Sequence, residues 1–565
     1  NSKTLEDKDL EALIPILFWM EYTRTGDLSE CSGFYNARRE WLGSMICSES
    51  GFCTSEICNK KHGCYYGKLK KILFQANIIV VNHSLLMVEV STSGFLPEYN
   101  SVIIDEAHNL VKSVYDQFKV EWSEQNTLYQ LQNIDPSSPR SANWNNILNK
   151  ISNRNTELEI ITEDLKRSIK NAKNTLKSLM SSFSEHNYSQ FNPSKTYQYK
   201  PIIKNLDKAY EPISDIIDLM GKCLRNVIFS LNKMRKFILE IDHSKKLYST
   251  LHSIFDNGYD NINRLLDDLL CLTSNQDYDM VYWLEGDFKY KNTSKEKLIV
   301  TLNASLIDAS INMSEYFFKR FDKVLLTSAT LKVNNSFDYI LRRTGLLDTD
   351  HVITKEFSSP FLYDEQVTFH QYSGSIEISN DIEKIGDCVI QLQKKFLNRT
   401  LVLFTSTKTL TETANYINKN NINSEFTLFA QTKGVSKSAM IKGLKETSNG
   451  VVFGTNSFWE GVDFPGSLLE ILILVKLPFD VPSDPLIKSY SEYLNRIGEN
   501  GFMDYSIPEC IMRFRQGFGR LIRTSYDSGK FICLDNRIIL KKYGSIISKS
   551  IPVKMIQFSE VDSIK

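Results

Sequence analysis

The sequence predicts an α/β protein of two parallel-sheet lobes, the first interrupted by a cysteine-bearing segment and by an all-α domain. Three observations predict it. Apolar runs of strand length, among them Val102-Ile103-Ile104 and Leu401-Val402-Leu403-Phe404, recur in the first and last parts of the chain in alternation with helical patterns. Between those parts the strand-like runs give way to long stretches with apolar residues at steps of three and four. With 565 residues the chain is also too long for one ordinary hydrophobic core.

Residues 1–120 read as the first part of the first lobe, with strands at Ile78-Ile79-Val80-Val81 and Val102-Ile103-Ile104 and the cysteine-bearing segment at 45–70. Residues 121–277 read as the helical domain. Leu158, Ile161, Leu165, Ile169, Ala172, Leu176 and Leu179 form one apolar stripe, and Ile217, Met220, Leu224, Val227, Leu231, Met234, Ile238 and Ile241 form another. Spacing sustained over so many turns is core packing in a bundle. Val281-Tyr282-Trp283-Leu284 and Val324-Leu325-Leu326 are strand-like again, so residues 278–334 are expected to complete the first lobe. Residues 335–565 read as the second lobe, with strands at Leu401-Val402-Leu403-Phe404, Gly450-Val451-Val452-Phe453, Ile471-Leu472-Ile473-Leu474 and Phe531-Ile532-Cys533-Leu534.

Lys plus Arg and Asp plus Glu are both 67, so a polyanion would be met by a local groove rather than by a wholly basic surface. No apolar run has spanning length and the N-terminus is polar, so a soluble intracellular protein is expected. Ten cysteines in so long a chain do not make a secreted disulfide framework. Cys53, Cys58 and Cys64, at C-x4-C-x5-C spacing, point instead to metal or iron-sulfur ligation, with zinc or free thiols as the alternatives. Cys223, Cys271, Cys388, Cys510 and Cys533 lie in apolar settings and read as core.

Asp105-Glu106-Ala107-His108 follows the run Ser101-Val102-Ile103-Ile104, which has the look of a buried parallel strand, so its carboxylates should emerge at a strand's C-terminal end, where α/β folds bind ligands. An Asp there can hold Mg²⁺ through its water shell, and an adjacent Glu can polarise an attacking water. Gln516-Gly517-Phe518-Gly519-Arg520-Leu521-Ile522-Arg523 puts two arginines one helical turn apart, where their planar forks can reach phosphate oxygens. Thr327-Ser328-Ala329-Thr330, after a strand, offers small hydroxyls beside the acidic run. In Gly454-Thr455-Asn456-Ser457-Phe458-Trp459-Glu460-Gly461-Val462-Asp463 the glycines allow close backbone approach, and Asp463 can bind a ribose hydroxyl or an arginine. Thr405 and Ser406 end a strand with hydroxyls placed for the phosphates of a nucleic-acid strand or, equally, for a helix N-cap. No Gly-x-x-x-x-Gly-Lys-Ser/Thr loop occurs, so a preceding segment is expected to carry the backbone that cradles a triphosphate.

Taken in order, these motifs, with Asn82-His83-Ser84-Leu85-Leu86 and Asp535-Asn536-Arg537, resemble the DinG-like branch of the XPD family, superfamily 2 iron-sulfur DNA helicases. The resemblance covers nearly the whole chain. It implies two RecA-like motor domains, an inserted iron-sulfur segment and a helical arch. It also implies ATP-dependent movement 5′ to 3′ on single-stranded or forked DNA in repair or replication, by a cytoplasmic, nucleoid-associated monomer that uses ATP, Mg²⁺ and a [4Fe-4S] cluster. Residue by residue, Asp105 takes Mg²⁺, Glu106 activates water, and His108 couples the site to Thr327, Ser328 and Thr330. Gly461, Asp463 and Gln516 contact nucleotide, Arg520 and Arg523 act as arginine fingers, and Thr405 and Ser406 meet DNA. Cys53, Cys58 and Cys64 hold the cluster. The family's fourth ligand lies upstream, with Cys47 and Cys31 as nearer candidates that do not match its position. A non-catalytic single-stranded DNA-binding role is the alternative, because the phosphate-binding loop is absent.

Overall fold

The computed structural model describes residues 7–564 except 37–41, 49–62, 93, 95, 139–140, 142–143, 146–147, 150–154, 193–198, 241–245, 291–295, 376, 421–425, 433–434, 456–457, 459–463 and 465. It divides into two compact units, one of residues 1–99 and 115–307, the other of residues 100–114 and 308–565. In chain order the strands are β1 (Ser101–Ile104), β2 (Val120–Trp122), β3 (Ile202–Ile203), β4 (Met280–Tyr290), β5 (Glu296–Leu306), β6 (Lys323–Leu326), β7 (Val367–Tyr372), β8 (Thr400–Leu403), β9 (Leu428–Ala430), β10 (Val451–Gly454), β11 (Ile471–Leu474), β12 (Gly529–Cys533) and β13 (Met555–Phe558). Four helices matter most, α1 (Thr156–Asn187), α2 (Ser214–Glu240), α3 (Lys246–Thr273) and α4 (Ile507–Phe518).

The first unit is built on α1, α2 and α3. Asn155 caps α1, its side chain accepting from the N–H groups of Glu157 and Leu158 at 3.0 and 3.2 Å. Both predicted stripes are buried, from Leu158 to Leu179 and from Ile217 to Ile238, while Ile241 lies outside the described residues. Each large aliphatic side chain so buried contributes roughly 1.5–3 kcal/mol, which is why a 3.6-residue period predicts helix here. One expectation is corrected. Val281-Tyr282-Trp283-Leu284 does not return the chain to a parallel lobe. It belongs to β4 in an antiparallel sheet of order β2-β5-β4-β3, in the unit that holds the helices. Tyr282 and Leu284 share one core with Leu165, Leu224 and Leu269. A short apolar run looks the same in either kind of sheet, and only its partner strand decides.

In the second unit all seven strands of one sheet run parallel, in the order β13-β7-β12-β11-β8-β10-β9. Both faces are covered. Leu401, Leu403, Val452, Leu472, Leu474, Phe531 and Cys533 enter one core, and Val402, Phe404, Val451, Phe453, Ile471, Ile473, Ile532 and Leu534 enter the other. Doubly buried parallel strands account for the continuous apolar runs. Cys388, Cys510 and Cys533 are buried in this unit and Cys223 in the helical one, as their settings suggest; Cys271 is half-buried.

The same unit contains a two-stranded parallel sheet, β1 with β6. Its strands are parallel as expected but not buried. Ile104 is covered, whereas Ile103 is 73% exposed and Leu325 57%. Burial of a parallel pair needs flanking strands and helices, and among the described residues β1 pairs with β6 alone. Ile78-Ile79-Val80-Val81 forms no strand, and Ile78 and Val80 are exposed. A β-branched run becomes a strand only where a neighbour accepts its backbone hydrogen bonds.

Candidate nucleotide site

β1 and β6 are in register from Ser101 with Lys323 to Ile104 with Leu326, and their ladder continues past the strand ends. The Thr327 N–H donates to the Ile104 carbonyl at 2.9 Å, and the Ala107 N–H donates to the Thr327 carbonyl at 3.0 Å. Two parallel strands therefore deliver Asp105-Glu106-Ala107-His108 and Thr327-Ser328-Ala329-Thr330 to one edge. Asp105 Oδ1 accepts the Glu106 N–H at 2.9 Å. Glu106 then takes a left-handed backbone, φ 49° and ψ 44°, before the short 3₁₀ turn Ala107–Asn109. For a non-glycine residue that conformation costs about 1–2 kcal/mol, a strain found where a side chain must be aimed.

The side chains meet there. His108 Nδ1 and Ser328 Oγ are hydrogen-bonded at 2.8 Å, and the Ser328 hydroxyl donates to Glu106 Oε2 at 3.3 Å. With the Ser328 proton turned to Glu106, His108 Nδ1 must be the donor to Ser328. Thr330 is buried, its N–H donating to Ser328 Oγ at 3.2 Å and its hydroxyl 3.4 Å from His108 Nδ1. Thr327 joins through its backbone. The Glu106 side chain stays 62% exposed, so an oriented carboxylate faces solvent beside a buried imidazole.

α4 carries Gln516 in the same unit. Arg515, which the sequence reading did not single out, donates from Nη1 to the Lys332 carbonyl at 2.6 Å and from Nη2 to the Ala329 carbonyl at 3.1 Å. Burial pushes its pKa down from the ordinary value, with Glu356 and Tyr363 acting against that. On the same helix Arg513 pairs with both Asp480 oxygens, at 2.6 and 2.9 Å, and with Glu509 at 3.4 Å. Gln516 Oε1 is buried and has no hydrogen-bond partner among the described residues. An orphaned acceptor of that kind suits a ligand's donor, such as an adenine amino group.

The two arginines are not one helical turn apart on a helix. α4 ends at Phe518, where the Gly519 N–H closes on the Arg515 carbonyl, and Arg520 and Arg523 follow in a turn. Asp527 shapes that turn, its Oδ2 accepting from the Arg523 and Thr524 N–H groups at 2.7 and 2.8 Å. Arg520 is buried and Arg523 exposed. The glycines that break the helix were visible in the sequence; the carboxylate four residues beyond Arg523 was the signal to use with them.

Elsewhere the sheet's C-terminal edge collects further residues. Thr405 and Ser406 follow β8 beside β11, where the strand order reverses and α/β sheets open a crevice. Ser406 is also an N-cap, its hydroxyl accepting the Thr409 N–H at 3.4 Å, while Thr405 is exposed. Gly454 is required, since a Cβ there would stand 2.5 Å from the Phe458 ring. Gly461 and Asp463 lie outside the described residues, as do Cys53 and Cys58. Cys64 starts the helix Tyr65–Leu73, its sulfur accepting the Gly67 N–H at 3.4 Å. Cys47 is exposed, and Cys31 is buried against Ala12, Ile16, Phe34 and Leu42, a poor setting for a ligand. Among the described residues no three His, Cys, Asp or Glu side chains are grouped to hold a metal.

Residues 389–554 match the family model for a helicase C-terminal domain, and residues 39–127 match the family model DEAD_2. Two stretches of the chain thus resemble domains of helicases. Over 98% of its length it is 28% identical to the 3'-5' exonuclease DinG of Bacillus subtilis, and the matched region is 59% of that relative. It is 26% identical to the ATP-dependent DNA helicase YoaA of Haemophilus influenzae, over 97% of this chain and 78% of that one. Against the ATP-dependent DNA helicase DinG of Photobacterium profundum the figures are 25%, 96% and 80%. A solved structure, an XPD helicase, aligns with 95% of the chain and 82% of its own at 14% identity and a TM-score of 0.48. Over nearly its whole length the chain is thus similar to DinG and YoaA, relatives named as an exonuclease and as ATP-dependent DNA helicases.

Proposed function

We propose that this chain is the motor part of an ATP-dependent DNA helicase that moves 5′ to 3′ on single-stranded or forked DNA in repair or replication. The observation that carries the reading is the Glu106, His108 and Ser328 cluster at the carboxyl ends of β1 and β6, held by Arg515 to the helix that presents Gln516. Asp105 would hold Mg²⁺, which when bound neutralises phosphate charge. Glu106, aimed by its left-handed backbone, orients the attacking water, and His108 and Ser328 fix the carboxylate. Gln516 meets the base, and Arg520 offers its guanidinium to the transferring phosphate, with Arg523, Gly461 and Asp463 as further nucleotide contacts. Thr405 and Ser406 meet DNA phosphates, so binding is salt-sensitive and nearly sequence-blind. Cys53, Cys58 and Cys64 are the proposed ligands of a [4Fe-4S] cluster; the Gly67 N–H on Cys64 suits a sulfur that carries negative charge. Residues 121–277 are proposed as the arch, and a monomer in the cytoplasm associated with the nucleoid fits these roles. No helix among the described residues is long and apolar enough to cross a membrane.

The test is ATP turnover with and without single-stranded DNA, and displacement on duplexes with 5′ or 3′ tails, for this chain and for the full-length protein, with a 400 nm absorbance scan for the cluster. DNA-stimulated turnover and unwinding from a 5′ tail are expected. DNA binding with no turnover would leave the second reading, a non-catalytic single-stranded DNA-binding role for this chain.

A further inference from the structure

We propose that Arg515 is a positioning residue that couples the acidic cluster to Gln516, the proposed nucleotide contact on α4. The inference rests on the ATP-driven reading above and adds a residue to it. Residues two apart on a helix point roughly 200° away from each other, so Arg513 and Arg515 leave α4 on opposite sides. Arg513 fastens one side to its own sheet through the Pro478 carbonyl and Asp480, on the segment that follows β11. Arg515 fastens the other side to the loop that follows β6, through the carbonyls of Ala329 and Lys332.

Ala329 stands between the two residues whose hydroxyls engage the acidic cluster, Ser328 on Glu106 and His108, and Thr330 on His108. Gln516 is the next residue after Arg515, and the Arg520 N–H closes on the carbonyl of Gly517. A continuous run of hydrogen bonds and backbone therefore leads from the Glu106 carboxylate through Ser328, Ala329 and Arg515 to Gln516. The carbonyls that Arg515 spans are three residues apart, which a planar fork with two separate N–H groups can satisfy together. A lysine is a single point of charge and holds one of them well. Because the contact is to backbone, no side-chain pattern in the loop announces it.

The test is a double-mutant cycle in the full-length protein with Ser328→Ala and Arg515→Ala, reading kcat and KM for ATP with saturating single-stranded DNA. Each single substitution should lower kcat by about 10-fold or more, as loss of a charge-assisted hydrogen bond does. The double variant should be little worse than either single one, KM should move by less than about 3-fold, and Arg515→Lys should recover only part of the loss. Multiplying losses, or full recovery by lysine, would overturn the coupling. Amide hydrogen exchange across residues 327–333 supplies a readout without turnover: Arg515→Ala should speed exchange there, and unchanged protection would overturn the proposal by itself. If Arg515→Ala fails to fold, Arg515→Gln carries the same two measurements. An unaltered protein without DNA-stimulated turnover defeats the motor reading, whereas a fully active Arg515→Ala protein defeats only this inference.

Discussion

Replacing Asp535 by alanine should destabilise the second unit by about 3–5 kcal/mol, and the figure follows from what its carboxylate holds. Asp535 is fully buried at the end of β12. Its Oδ2 accepts the Leu477 N–H at 2.9 Å, tying the end of β12 to the segment after β11. Its two oxygens also accept Arg537 Nε at 2.9 and 3.0 Å, Arg537 Nη2 at 2.6 Å and the Arg537 N–H at 3.0 Å. Alanine leaves the buried Leu477 N–H unsatisfied, at a cost of about 1–3 kcal/mol. It also leaves the Arg537 guanidinium unpaired. Losing one partner of a fully buried pair costs about 3–5 kcal/mol, but the Arg537 side chain is 35% exposed and water reaches it, so about 2 kcal/mol is the discounted share. Asp535→Asn keeps an acceptor for Leu477 and should cost only about half as much. Urea unfolding of the isosteric pair gives the difference, and amide exchange of residues 471–480 localises it. A loss below about 1 kcal/mol for alanine, or equal losses for alanine and asparagine, would refute the assignment of the network as a structural tie.

Arg520→Ala should lower ATP turnover by about 10³–10⁵-fold, while Arg523→Ala, whose side chain is exposed, should cost far less; equal losses in a steady-state assay would contradict the separate environments of the two arginines. Glu106→Gly should be more stable than Glu106→Ala by roughly 1 kcal/mol in a denaturant titration, since only glycine is relaxed at φ 49°, and both should lose hydrolysis. A pH effect follows from Asp527. Burial pushes its carboxyl up, but the Thr524 hydroxyl and the Arg523, Thr524 and Gly466 N–H groups outweigh it and bring the pKa below the ordinary value. Its stabilising contribution is thus complete above the ordinary carboxylate pKa and is lost as pH falls through the lowered one, whereas Asp527→Asn should flatten that acid limb of the stability profile.

Much of the fold could be read from the chain alone. The stripes of Leu158–Leu179 and Ile217–Ile238 predicted buried helices because a 3.6-residue repeat has few other causes. The runs at 401–404, 450–453, 471–474 and 531–534 predicted strands of a parallel-sheet lobe, and their continuous apolar character is explained by a sheet covered on both faces. The order of the polar motifs proposed residues for a nucleotide site, and the structure places the side chains of Glu106, His108, Ser328 and Thr330 in contact. What the tertiary structure alone decided is how those residues are held. The left-handed turn at Glu106, the antiparallel pairing of β4 with β5, the exposure of Ile103 and the reach of Arg515 to two backbone carbonyls all depend on partners far along the chain, His108 and Ser328 being 220 positions apart. Local patterns record which face of an element avoids water, because burial follows periodicity. Hydrogen bonds between distant segments leave no period behind, so their geometry exists only once the chain has folded.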